Sequence, residues 1–143
     1  MKKLLLAAAM LLTFGIAAHA QAALATNTTG CDVEVYIYCY DKNCNLLSIS
    51  APILVPHSGS PTILLHPPCQ QGSYTVFRVC WRTVCFPLTQ CTMVDGTPGG
   101  VPMPCGTGTF TSQIQSCDRC NNGGGGIGYI TYNPATNQLL ITP

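Results

Sequence analysis

The chain predicts an all-β fold, a small disulfide-rich antiparallel β-sandwich, on three observations. Short stretches alternate apolar and polar residues with a period of two, and clusters of Gly, Pro, Asn and Asp separate them. No stretch after the first twenty residues sustains a helical period. Ten cysteines, Cys31, Cys39, Cys44, Cys69, Cys80, Cys85, Cys91, Cys105, Cys117 and Cys120, all follow an apolar leader. An even count in an exported chain implies a disulfide framework whose connectivity sequence alone leaves open.

The leader comes first. Lys2 and Lys3 precede an apolar run over residues 4–18 that closes with Ala18, His19 and Ala20. This has the form of a secretory signal over residues 1–20, cleaved before Gln21, and the run is short for a bilayer span. No transmembrane segment is expected after cleavage, and the expected location is secreted, periplasmic or cell-surface, in a bacterial style of leader. Residues 21–143 then make a single domain, since about 120 residues bury roughly two-thirds of their unfolded surface around one core.

The first strand is expected over residues 31–40, with Val33, Val35, Ile37 and Cys39 on one face and Asp32, Glu34, Tyr36, Tyr38 and Tyr40 on the other. Asp41, Lys42, Asn43, Cys44 and Asn45 supply turn chemistry, after which Leu47, Ile49, Ala51, Ile53 and Val55 restart the period and close a hairpin. Pro52 lacks a ladder donor, so this second strand lies at an edge or breaks there. A turn over residues 56–61 leads to a short strand over residues 62–66.

The stretch over residues 73–85, SYTVFRVCWRTVC, is expected to be the central strand, because β-branched and aromatic residues fill it without Gly or Pro. Thr75, Phe77, Val79, Trp81, Thr83 and Cys85 form its expected buried face. Tyr74, Val76, Arg78, Cys80, Arg82 and Val84 form a mixed one. Residues 86–126 are rich in Pro, Gly, Thr and Ser and read as long irregular loops with one strand near Phe110 and Ile114, followed by a Gly linker over 123–126. A C-terminal hairpin over 127–142 turns at Asn133, Pro134 and Asn137. Six or seven short strands with such turns predict a sandwich of immunoglobulin-like outline.

Composition bears on partners. Charged residues are 8% of the chain, against about 25% in ordinary soluble domains. Removal of Lys2 and Lys3 leaves Lys42, Arg78, Arg82 and Arg119 against Asp32, Glu34, Asp41, Asp95 and Asp118, a formal charge of −1. No basic patch for nucleic acid results. The sparse charge repels neighbours weakly, so the partners expected are a protein, a glycan or an envelope surface, with self-association open to it.

For chemistry the sequence offers little. The close pairs Cys39 and Cys44, Cys80 and Cys85, and Cys117 and Cys120 include only one CxxC, so a tetrahedral metal site is not expected, and no cofactor is. The CxxC runs into Asn121, Asn122 and glycines rather than a helix start, which favours a structural bridge over a redox motif. His57 and His66 read as solvated loop residues, and no nucleophile–base constellation is present, so no catalysis is inferred. Two classes remain. One is an exported binding, adhesive or structural module contacting its ligand through Tyr36, Tyr38, Tyr40, Arg78 and Arg82. The other is an inhibitor or effector presenting a loop that opens at Thr92 and closes at Pro104, bounded by Cys91 and Cys105 and held rigid by disulfides.

Overall fold

The computed structural model describes residues 22–57, 62–66, 69, 73–82, 90–97, 106, 108–115 and 127–143. The leader, the turn beyond His57, Thr83, Val84 and Cys85, most of the 98–126 stretch with Cys105, Cys117 and Cys120, and the Gly linker lie outside the described residues.

The described residues form ten strands and no helix: β1 (Ala23–Asn27), β2 (Val33–Tyr40), β3 (Leu46–Ile49), β4 (Ile53–Val55), β5 (Ile63–Leu65), β6 (Tyr74–Trp81), β7 (Cys91–Asp95), β8 (Thr111–Gln115), β9 (Ile127–Asn133) and β10 (Gln138–Thr142). One sheet runs β5-β1-β10-β9-β8 and the other β3-β2-β6-β7, with β4 also on β2. Every pairing is antiparallel except that of β1 with β10.

Alternation explains how the sheets face each other. In β2, Val33, Val35, Ile37 and Cys39 are fully buried while Glu34, Tyr36, Tyr38 and Tyr40 are half-buried on the other face. In β6, Thr75, Phe77, Val79 and Trp81 point the same way, and the ladder sets Val79 against Val35 and Phe77 against Ile37. The other sheet contributes Ala25, Leu139 and Tyr132 in one row and Ile141 and Ile130 in the next. The two inner faces meet in one core, where the Phe77 and Tyr132 rings tilt against each other at 5.4 Å. Burial of each such Val, Ile, Leu or Phe contributes about 1.5–3 kcal/mol, which makes this layer the main source of stability.

Disulfides are added on top. Cys39 bonds Cys69, and Cys80 bonds its ladder partner Cys91. Cys31 and Cys44 are also disulfide-bonded. Cys39 and Cys80 are thus not bonded to their close sequence neighbours Cys44 and Cys85.

Several expectations need correction. Ten strands replace the six or seven expected. The two unexpected ones are β1 and β7, so the 86–126 stretch holds a second strand besides β8. Cys91, Thr92, Met93, Val94 and Asp95 therefore belong to sheet, and Cys91 is bonded to Cys80. The hairpin after β2 does break, at Ser50, Ala51 and Pro52, and both halves pair with β2; Leu47 and Ile49, members of its period of two, are exposed. A bulge beside Tyr40 and the edge position turn them outward. Val76 and Cys80, on the mixed face of β6, are buried, Cys80 under its bridge to Cys91.

Buried polar groups are matched. The Asn27 amide donates to the Cys31 and Val55 carbonyls, and its Oδ1 accepts from the Thr29 N–H and hydroxyl. Asn137 takes the left-handed conformation, φ 53°, at the turn between β9 and β10, a conformation Asn tolerates well. There it accepts from the Tyr132 hydroxyl and donates 2.6 Å to the Ala22 carbonyl, locking the hairpin to β1. Burial pushes the Tyr132 phenol up to about 12. In the β2–β3 turn, Asp41 Oδ1 accepts from the N–H groups of Asn43 and Asn45 at 2.8 Å each, while Asn45 Nδ2 donates to Oδ2. These bonds, that from the Asn45 side chain foremost, hold the Asp41 carboxyl below its usual range.

Candidate functional site: an aromatic and basic sheet face

Tyr36, Tyr38 and Tyr40 project from β2 on the face turned away from the core, because each follows a buried residue in an unbroken alternation. β6 lies beside β2 with Tyr36 opposite Arg78 and Tyr40 opposite Tyr74. The structure therefore brings the five singled-out side chains onto one side of one sheet. Arg82 follows β6 immediately, its N–H bonded to the Asp32 carbonyl at 3.0 Å.

The contacts on this face form a ladder. Arg78 donates to the Tyr38 hydroxyl at 3.2 Å, and the Tyr36 hydroxyl donates to Glu34 at 3.1 Å. The bond to Glu34 holds the phenol of Tyr36 above its ordinary range, because ionisation would set two negative charges together. Tyr38 and Tyr40 lie with ring planes 13° apart and centroids 6.4 Å apart. Arg82 stands 3.8 Å from Glu34, with its side chain largely in solvent. An exposed pair of this kind is worth about 0–1 kcal/mol, so the arginines are not committed by strong bonds.

Sequence reasoning missed the rim of this face. Leu46, Leu47 and Ile49 on β3 and Leu54 on β4 are all exposed, and the ladder places Ile49 against Tyr38 and Leu54 against Glu34. A period of two was visible in these residues; that their apolar members face solvent was not.

At the end of the face, Asp32 meets His57. His57 Nδ1 stands 2.8 Å from Asp32 Oδ1, and the His57 N–H donates to the same oxygen at 2.9 Å. An ionised carboxylate only accepts, so Nδ1 carries the proton. The side-chain bond from His57 is the first cause that lowers the Asp32 pKa, the backbone bond the second. A depressed carboxylate pKa contributes stability that is present above the unfolded value, about 3.9, and is lost as pH falls through the folded one. Melting curves from pH 6 to pH 2 are expected to show a smaller acid-induced loss for Asp32→Asn than for the wild type; equal losses would mean that the pair does not carry this dependence.

Other candidate residues are dispersed. His66 follows β5 in one sheet, whereas His57 follows β4 in the other. Among the described residues no cysteine is free, and no three His, Cys, Asp or Glu side chains are grouped to hold a metal ion. Of the segment that opens at Thr92 and closes at Pro104, the part through Asp95 is strand, followed by Gly96 and Thr97; the rest lies outside the described residues. No described helix is long and apolar enough to cross a membrane. Comparison of the chain with family models, with curated proteins and with solved structures returns no match.

Proposed function

We propose that the protein is an exported, disulfide-stabilised binding or adhesive module of the cell envelope or extracellular space, and that the outer face of β2 and β6 is its contact surface. The observation that carries this reading is the row Tyr36, Tyr38 and Tyr40 beside Arg78, on a sheet face that no described strand covers. Tyrosine offers a large apolar ring and a polar tip at low entropic cost, which suits stacking on a sugar or on a flat protein surface. Arg78 and Arg82 add directional donors at the same level. Export is supported by the leader and by the use of cysteine. An immunoglobulin-like outline belongs to the same proposal, supported by two mainly antiparallel sheets closed over one core.

The competing account makes the tyrosine row a packing ladder and nothing more, since tyrosine is common on half-exposed strands. Tyr36→Ser with Tyr38→Ser separates the two. Retention on whole cells and insoluble polysaccharide is expected to fall about tenfold or more, as loss of roughly 1.4 kcal/mol of contact implies, with a melting temperature close to wild type. A melting temperature several degrees lower with unchanged retention leaves only the ladder.

A further inference from the structure

The charges on the tyrosine face are unevenly matched. Its acids gather at one end of the ladder, where Asp32 is held by His57 and Glu34 accepts from the Tyr36 hydroxyl at 3.1 Å and faces Arg82 at 3.8 Å. Arg78 stands further along β6, opposite Tyr36 on β2 and Met93 on β7. Among the described residues no carboxylate pairs with it. Asp95, on the same side of β7 and opposite Val76, is fully buried and out of reach of a ligand.

A guanidinium is a planar fork of N–H donors with no acceptor. In Arg78 a single bond is made, from Nη1 to the Tyr38 hydroxyl at 3.2 Å, and the residue is half-buried. Because the Tyr38 hydroxyl accepts that bond, its own proton is left to donate, and no described acceptor takes it. Two donors thus stand side by side without a counter-charge, in partial burial where water offsets a lone cation less well.

We propose that Arg78 and Tyr38 form a subsite for a carboxylate, and that the ligand of this face is an acidic polysaccharide of the uronic-acid class. The inference rests on the binding role proposed above and names its ligand. Complementarity argues for the carboxylate. Its paired oxygens, acceptors only when ionised, match the guanidinium fork, and the phenol adds a donor beside it. The rings argue for sugar. Tyr38 and Tyr40 repeat along β2 with planes 13° apart, and Tyr74 stands opposite Tyr40, so a sugar ring can stack on tyrosine beside an anchored carboxylate. A uronate polymer carries both groups on every residue. The formal charge after the leader is −1, so no general attraction draws a polyanion to the protein, and recognition is local to Arg78.

Equilibrium binding of the mature protein to polygalacturonate, and to the same polymer with its carboxyl groups reduced to alcohols, tests this. The acidic form is expected to bind about tenfold tighter or more, as a charge-assisted bidentate contact implies. Arg78→Gln is expected to remove the preference, and Arg78→Lys, which keeps the charge without the fork, to retain only part of it. Circular dichroism and melting temperature establish that each variant is folded. Equal binding of the two polymers by the wild type overturns the carboxylate subsite and leaves the face a surface for neutral sugar. A preference that survives Arg78→Gln in the folded protein also overturns it. So does a wild type that binds neither polymer, and retention on poly-glutamate instead would assign the face to an acidic protein segment. Failure of the binding role itself is a separate result: retention on cells would then survive Tyr36→Ser with Tyr38→Ser, and the subsite would fall with it.

Discussion

Asn27→Ala is expected to destabilise the protein by about 3 kcal/mol, from the loss of four hydrogen bonds at about 1 kcal/mol each or less and one buried donor left alone. Asn27 is the last residue of β1, and its side chain reaches both the Cys31 carbonyl at 2.8 Å and the Val55 carbonyl at 3.2 Å, joining the two sheets. After truncation the Cys31 carbonyl keeps the Thr29 hydroxyl as donor, and the Thr29 hydroxyl keeps Cys31. The Thr29 N–H, bonded to Asn27 Oδ1 at 3.0 Å, keeps nothing. With about 4 °C per kcal/mol for a domain of this size, melting should fall by about 10 °C. Thr26→Ala, one residue earlier, removes only an exposed hydroxyl pair with Thr62 and should change melting by less than about 2 °C. Similar shifts for the two variants would refute the assignment of Asn27 as the joint between sheets.

Gly96→Ala is expected to be at least as damaging. A Cβ at Gly96 would lie 2.1 Å from Phe77 Cε2 and 2.4 Å from Cδ2. The backbone cannot back away easily, because the Gly96 N–H donates to the Thr75 carbonyl at 2.8 Å and closes the end of β7 on β6. Nor can the ring, which is fully buried and packed on Tyr132. Overpacking of this kind costs about 1–3 kcal/mol or more. The cause can be isolated with Phe77→Leu, a change that opens space where the new methyl must go. Combined with Gly96→Ala, it should destabilise by at least about 1 kcal/mol less than the sum of the single effects, measured by denaturant titration. Strict additivity would place the damage in the backbone instead.

These residues also mark what sequence could and could not disclose. β2, β6, β9 and β10 were legible because their buried positions are large and β-branched or aromatic, as in Val33, Val35 and Ile37 or Ile130 and Tyr132. β1 was not, since its inward side chains are Ala23, Ala25 and the polar Asn27, and it follows an alanine-rich leader without a break in composition. β7 hid for another reason: its inward face pairs polar Thr92 with Val94, and a Gly- and Pro-rich run follows it. For the candidate face, alternation grouped Tyr36, Tyr38 and Tyr40, and likewise Arg78 and Arg82. What alternation cannot state is which side faces water when one strand is an edge, and so the exposure of Leu47 and Ile49 was not legible. Nor does any local pattern connect Asp32 with His57, which become neighbours only when β4 lies down on β2.

The parallel pairing of β1 with β10 has a mechanical consequence. Leu24 lies beside Gln138 and Asn27 beside Ile141, with further bonds from the Leu24 N–H to Asn137 and from the Thr28 N–H to Ile141. The chain enters β1 at one end of this ladder and leaves β10 at the other. Tension drawn along the polypeptide from both sides therefore slides the two strands past each other, so their hydrogen bonds are loaded together in shear. An antiparallel hairpin pulled at its open end would unzip one bond at a time. A sheet joined in this way resists extension by raising the barrier to forced unfolding, a quantity set by the unfolding rate rather than by equilibrium stability.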